Sequence, residues 1–366
     1  MTDFEIIHFL WLVATCGLTW LLPARWQTDL IAASTLCFIG LLAPWSALWL
    51  LGASLLVYAS YRAPLGIRPR MTGASVLLIA TVFLVYQGIE AYGQASWTIP
   101  AMIGLSYYSC RHIHVLMEIY KGNLPSMNLR SYLHYQFFLP TLVAGPIHRY
   151  PNFIRQCERR RRDRAQLTGG MERILYGYAK VIIIGNYLLD LELGRILSPL
   201  AEHFAGLWLI SAKDWLYLYA VFSGYTDVAL GFSLILGFRI EENFNAPLKA
   251  INLIDFWQRW HITLSSWCRD YVFRPVQAIT RNQFIAVSAA MIALGIWHQL
   301  SLYYLLWGLY HALGITLCRL YQLHNDPLGL RRLPPLLRHG VTRSATFTWL
   351  TGGMPLITTL LATGTI

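Results

Sequence analysis

The chain has 366 residues, 56% of them hydrophobic and only 13% charged, against about 25% charged in an average soluble protein. A soluble globule is excluded, because a dispersed surface needs roughly 25–35% charged residues and the 47 here cannot cover a fold this large. The net charge of +11 comes from 25 Arg against four Lys, and six of those arginines lie between positions 155 and 164, directly after an apolar run. That placement fits the positive-inside rule and anionic headgroups, not nucleic acid.

Apolar stretches follow one another along the chain at residues 4–22, 30–42, 45–61, 74–86, 99–120 and 132–147. After the arginine block come 174–189, 204–210, 215–236, 284–297, 302–320 and 347–361. These runs are too long and uniform for transmembrane strands, which alternate over about ten residues. The class is therefore an all-α integral membrane protein, with the lipid bilayer as its solvent. Several runs fall short of the roughly 20 residues a full span needs. Short runs imply re-entrant or broken helices buried in protein or lining a cavity. Arg62, Arg68, Arg70 and the 155–164 block are expected on the cytoplasmic side, with Asp3 and Glu5 outside. The acidic N-terminus is unlike a signal peptide and reads as the start of a retained first helix. No internal repeat or composition shift marks a second domain, so residues 1–366 read as one multi-span domain in the cell membrane. The six cysteines are scattered without any Cys-x-x-Cys and read as small core residues, neither disulfides nor a metal site.

Polar residues concentrate at 222–275: Phe222-Ser-Gly-Tyr-Thr-Asp227, then Asn243-Phe-Asn-Ala-Pro247, then Asp255-Phe-Trp-Gln-Arg-Trp-His261 running on to Arg269-Asp-Tyr271. On one continuous helix Arg259, Thr263, Ser266 and Asp270 share a face, beside a stripe of Trp260, Leu264, Trp267 and Tyr271. The bland reading of that stripe is an interfacial anchor of tryptophans and arginines. His298 ends one apolar run and another begins four residues later. An ionisable side chain at membrane depth points to a functional site, and imidazole suits proton transfer near neutral pH. His112 and His114, two apart, are badly spaced for one helix face, and no metal is expected there.

These residues resemble the membrane-bound O-acyltransferase (MBOAT) family, in particular its bacterial DltB/AlgI-like branch. The resemblance rests on 222–275 with Gly295-Ile-Trp-His298 and Trp307-Gly-Leu-Tyr-His311. Gly104-Leu-Ser-Tyr-Tyr108, Tyr120-Lys-Gly122 and Phe138-Leu-Pro-Thr-Leu-Val-Ala-Gly-Pro-Ile-His-Arg-Tyr150 extend it over a core of about residues 100–320. It implies a ring of about 10–12 transmembrane and re-entrant helices around a central tunnel. It also implies catalytic histidines at His298, the general base, and His261. Trp297, Gln299, Ser223, Tyr225, Asp227, Arg259, Ser265, Arg269 and Asp270 are expected along the substrate path. His261, Arg269 or a backbone donor would steady the oxyanion or the carrier phosphate.

The implied donor is an acyl thioester, on carrier-protein phosphopantetheine or coenzyme A, and no cofactor or metal is held. The implied acceptor is an extracytoplasmic envelope polymer or an acyl-relay partner protein. Two departures stand out: Gln299 follows His298 where the family usually has Gly, and Ser109-Cys-Arg-His-Ile-His114 replaces the usual continuation after Tyr108. Arg269-Asp-Tyr-Val-Phe-Arg-Pro-Val-Gln277 runs on without the glycine pair common in alginate acetylases, which favours D-alanyl transfer over O-acetylation of an exported polysaccharide. An alternative of another class is a transporter of the polymer or its lipid carrier, with His298 as a proton relay.

Overall fold

The computed structural model describes residues 3–93, 102–124, 126–160, 163–324 and 328–362. Expectations touching residues 99–101, Arg161 and Arg162 lie outside these. Among the described residues every regular element is helical and no strand occurs. Among the described residues four helices are long and apolar enough to cross a membrane: Asp3–Leu21, Arg68–Tyr92, Arg164–Leu200 and Phe204–Ile235. The protein is an all-α membrane protein, as its composition requires.

The last of these spans departs from the sequence expectation. The runs 204–210 and 215–236 form one helix, Phe204–Ile235, because the charges that seemed to separate them are compensated. Lys213 Nζ lies 2.6 Å from Asp214 Oδ1 and 3.9 Å from Asp190 Oδ1. A buried or lipid-facing charge is tolerated when paired, so the helix continues through it.

The chain divides into two compact units, Met1–Ala179 with Gly224–Glu241, and Lys180–Ser223 with Glu242–Ile366. In the first, the helices Asp3–Leu21, Ala24–Leu42, Pro44–Arg62 and Arg68–Tyr92 pack about Leu12, Phe38, Ile39, Leu50, Val57 and Ile79. Their hydroxyls are satisfied locally, Ser54 Oγ donating to Leu50 O at 2.6 Å and Thr35 Oγ1 to Ile31 O at 2.7 Å. This back-bonding keeps the hydroxyls from facing lipid without a partner. Of the cysteines, Cys16, Cys110 and Cys268 are buried as expected, whereas Cys37 is exposed.

The apolar run 132–147 is not one helix. Leu129–Gln136 is helical, a single 3-10 turn follows at Leu139–Thr141, and the next helix starts only at Tyr150. Pro140 and Pro146 remove backbone donors, and Gly145 sits at φ 138°. The resulting irregular backbone is held from one side by Arg111, which is fully buried. Its guanidinium donates to the carbonyls of Tyr135 at 3.3 Å, Gln136 at 3.4 Å and Thr141 at 2.7 Å. His112 Nδ1 pairs with Tyr132 Oη at 2.7 Å, and His114 Nε2 accepts from the Tyr150 N–H at 3.2 Å. The two histidines thus serve separate partners. Replacing Arg111 with Met should destabilise this unit by about 1–3 kcal/mol for each buried carbonyl left without a donor. Thermal unfolding in detergent, against Arg111→Lys, measures the loss.

In the second unit, side-chain oxygens cap the helices that carry the site: Asn252 accepts from Asp255 N–H, Asn282 from Phe284 and Ile285 N–H, and Ser301 from Tyr304 N–H. Such caps supply acceptors for N–H groups with no intrahelical partner. The helices Gln283–His298 and Leu302–Leu323 are joined by three residues and pack backbone to backbone at two glycines. A Cβ on Gly295 would lie 2.2 Å from Tyr304 O, and one on Gly308 2.6 Å from Met291 O. Small residues permit this approach in a medium where lipid tails are as apolar as leucine. The shorter of the two, at 16 residues, measures about 24 Å at 1.5 Å per residue and falls short of a ~30 Å hydrocarbon core. His298 is its last residue.

Candidate functional site

The polar stretch at 253–271 does not form one helix. Leu253–Arg259 ends, Trp260 is extended, and His261 adopts φ 42°, ψ 52° before a new helix runs over Ile262–Cys268. Left-handed backbone is uncommon for any residue but glycine, and no glycine or proline signals the break. Arg259 therefore does not share a face with Thr263 and Ser266. It pairs instead with Asp255, Nε to Oδ1 at 2.7 Å, and donates to the Asn245 carbonyl at 3.3 Å.

The break is cradled by Asn243. The Asn243 carbonyl accepts from Ile262 N–H at 2.8 Å. Its side-chain Oδ1 accepts from the Thr263 hydroxyl at 2.7 Å and Thr263 N–H at 3.3 Å, and lies 3.0 Å from His261 Nδ1. Asn243 and His261 are both buried.

From His261 a ladder of alternating imidazole and indole rings runs through the unit. His261 meets Trp297 at 5.7 Å between centroids, Trp297 meets His298 at 5.0 Å, His298 meets Trp307 at 5.6 Å, and Trp307 meets His311 at 4.4 Å. Tyr304 stacks on His298 at 5.5 Å with the planes 20° apart. His298 is nonetheless exposed, whereas His261 and His311 are buried. An imidazole crowded by three rings yet still exposed is accessible and is not core. Among the described residues His298 has no hydrogen-bond partner, so ring packing alone orients it. His311 is also without a partner on either ring nitrogen among them, and so is the Trp257 N–H beside it, their rings 5.3 Å apart.

Of the residues expected on the substrate path, His261, Trp297 and His298 are brought together. Gln299 caps the His298 helix, its N–H donating to Gly295 O at 3.2 Å. Ser265 turns its hydroxyl back to Trp260 O at 3.0 Å. Arg269 and Arg274 are exposed and converge on Asp270, each at 3.1 Å. Ser223 is buried and bonds within its own helix, to Ala220 O at 3.4 Å. Tyr225 and Asp227 belong to the other unit, where Tyr225 donates to Glu5 and Asp227 lies 3.6 Å from Arg173.

Asn243, Trp257, Trp307 and His311 belong to the site and had no role assigned from sequence. Signals existed for three of them. Trp307 and His311 are four apart and so share a helix face, and Asn243 is a small amide in an aromatic context ahead of the break.

A family model described as MBOAT, membrane-bound O-acyltransferase family, matches residues 71–334, which contain the whole ladder. A probable alginate O-acetylase AlgI of Azotobacter vinelandii is 29% identical over 258 residues, covering 67% of this chain and 50% of the relative. Another, of Pseudomonas fluorescens, is 28% identical over 351 residues, 88% and 67% of the two chains. A teichoic acid D-alanyltransferase of Bacillus subtilis is 32% identical over 239 residues, 62% and 60%. The chain spans about half the length of the first curated relatives it matches.

Proposed function

The chain belongs to the membrane-bound O-acyltransferase family, and on that premise we propose that it moves an acyl group from a cytoplasmic thioester to a hydroxyl of an extracytoplasmic envelope polymer or a relay partner protein. The observation that carries this reading is His298, an exposed imidazole at the end of a short apolar helix, wedged among Trp297, Tyr304 and Trp307. There it takes the proton of the acceptor hydroxyl, and the oxygen attacks the thioester carbonyl. The tetrahedral intermediate collapses with loss of the C–S bond, and the same imidazole returns the proton to the thiolate. His261 stands one ring away as the second catalytic histidine.

On this reading the protein is a multi-pass protein of the cytoplasmic membrane with its arginine clusters on the donor side. Arg155, Arg159 and Arg239, with Asp163 and Glu241, border a cavity of about 890 Å3, a surface with a small basic excess that suits an acidic carrier protein or the phosphates of coenzyme A. D-alanyl is the favoured group, since the stretch after Arg269-Asp-Tyr271 lacks a glycine pair and the match to a D-alanyltransferase reaches 32% identity. O-acetylation is the second reading, favoured by the match to an alginate O-acetylase that covers 88% of the chain.

Mass spectrometry of esters released by mild base from the envelope polymer, in cells with and without the protein, tests the proposal. An ester present only with the protein is expected, its mass separating alanine from acetate. Equal ester content in both would overturn acyl transfer.

A further inference from the structure

We propose that Asn243 is a positioning residue that fixes His261 in its Nδ1–H tautomer, and that Nε2 of His261 thereby accepts a hydrogen bond from a substrate hydroxyl. The tautomer assignment stands on local geometry, and the hydroxyl contact rests on the acyl-transfer reading above.

The amide oxygen of Asn243 is identified by the Thr263 N–H that points to it at 3.3 Å, because an NH2 group in that place would set donor against donor. A carbonyl oxygen only accepts, so the His261 Nδ1 lying 3.0 Å from it carries the proton. A neutral imidazole protonated at Nδ1 has only a lone pair at Nε2. That lone pair is buried and has no partner among the described residues, the condition of a group whose partner arrives with the substrate. The left-handed backbone at His261 points the same way, since conformations of this kind are retained where the surroundings over-determine them and cluster at functional sites. Around the ring stand Phe222 at 4.8 Å and Trp297 at 5.7 Å, and Trp297 in turn meets His298.

The consequence for the reaction is a division of labour. The new C–O bond forms, the C–S bond breaks, and the proton passes from hydroxyl to thiolate by way of His298. His261, with no N–H to offer, does not donate to the oxyanion. On an acceptor with neighbouring hydroxyls it takes a hydrogen bond from the one beside the reacting oxygen and so orients the nucleophile.

Nitrogen-15 NMR of the histidine-labelled full chain in detergent micelles reads the tautomer directly, with His261→Gln identifying the signals. Nε2 is expected in the lone-pair chemical-shift range in the unmodified protein and in Asn243→Asp, whose carboxylate still accepts from Nδ1. It is expected to shift towards the Nε2–H form in Asn243→Ala. That variant should lose turnover by about 10–100-fold, the size of loss seen when the orienting partner of a metal-bound imidazole is removed, and Asn243→Asp should restore most of it. An Nε2–H tautomer in the unmodified protein, an unchanged tautomer in Asn243→Ala, or equal losses in the two variants would overturn the proposal. If ester content is equal in cells with and without the protein while the tautomer pattern is as expected, the acyl-transfer reading and the hydroxyl contact fall and the tautomer assignment stands.

Discussion

His298→Ala is expected to abolish ester formation on the envelope polymer while leaving the protein in the membrane at its normal level. General-base catalysis typically contributes about 10²–10⁴-fold, and His298 is the one exposed imidazole in the ring ladder. The fold has little reason to suffer, because His298 makes no hydrogen bond among the described residues and occupies the last position of its helix. His311→Ala would behave differently, since that ring is fully buried against Trp257 and Trp307 and its loss leaves a cavity. Ester content by mass spectrometry, normalised to protein in isolated membranes, checks the prediction. Normal ester content in His298→Ala would remove the base from its assigned role.

The second large effect is expected from a single methyl group. In Gly295→Ala the new carbon would sit 2.2 Å from the Tyr304 carbonyl oxygen. No side chain can rotate to relieve a contact with backbone, so the two helices must separate by roughly 1 Å, and a misplacement of that size can cost about 10²-fold in rate. The damage falls on the site because Gly295 lies one turn before His298, and Tyr304 is the ring stacked on it. Overpacking of this kind costs about 1–3 kcal/mol in stability, so folded protein should persist at reduced thermal stability. Gly40→Ala is the matched control: nothing lies within 4 Å of the added carbon, and the substitution should be neutral. Equal activities for the two variants would show that the helix contact does not position the base.

Much of the fold was legible from composition and run length, because lipid leaves helices as the only economical way to bury a polar backbone over such stretches. The end of the apolar run at His298 and its neighbour Trp297 were also legible. What sequence could not show arises from contacts distant along the chain. The break at His261 carries no glycine or proline and is imposed by Asn243, 18 residues earlier. Phe204–Ile235 runs on through Lys213 and Asp214, and Lys213 also comes within 3.9 Å of Asp190, far back in the chain. Periodicity counts residues on an assumed helix and cannot register a turn that another segment forces. The same limit placed Arg259 on a face it does not share.

Arg111 bears on how the protein is made. The segment from Phe137 to Arg149 cannot enter a bilayer unaided, since its carbonyls would meet hydrocarbon with no donor. Arg111, which answers the Thr141 carbonyl within it and those of Tyr135 and Gln136 just before it, sits on Leu105–Lys121, which leaves the ribosome first. Synthesis in chain order therefore presents the receptor before its client. A circular permutation that reversed this order would ask the translocon to insert a stretch with nowhere to dock.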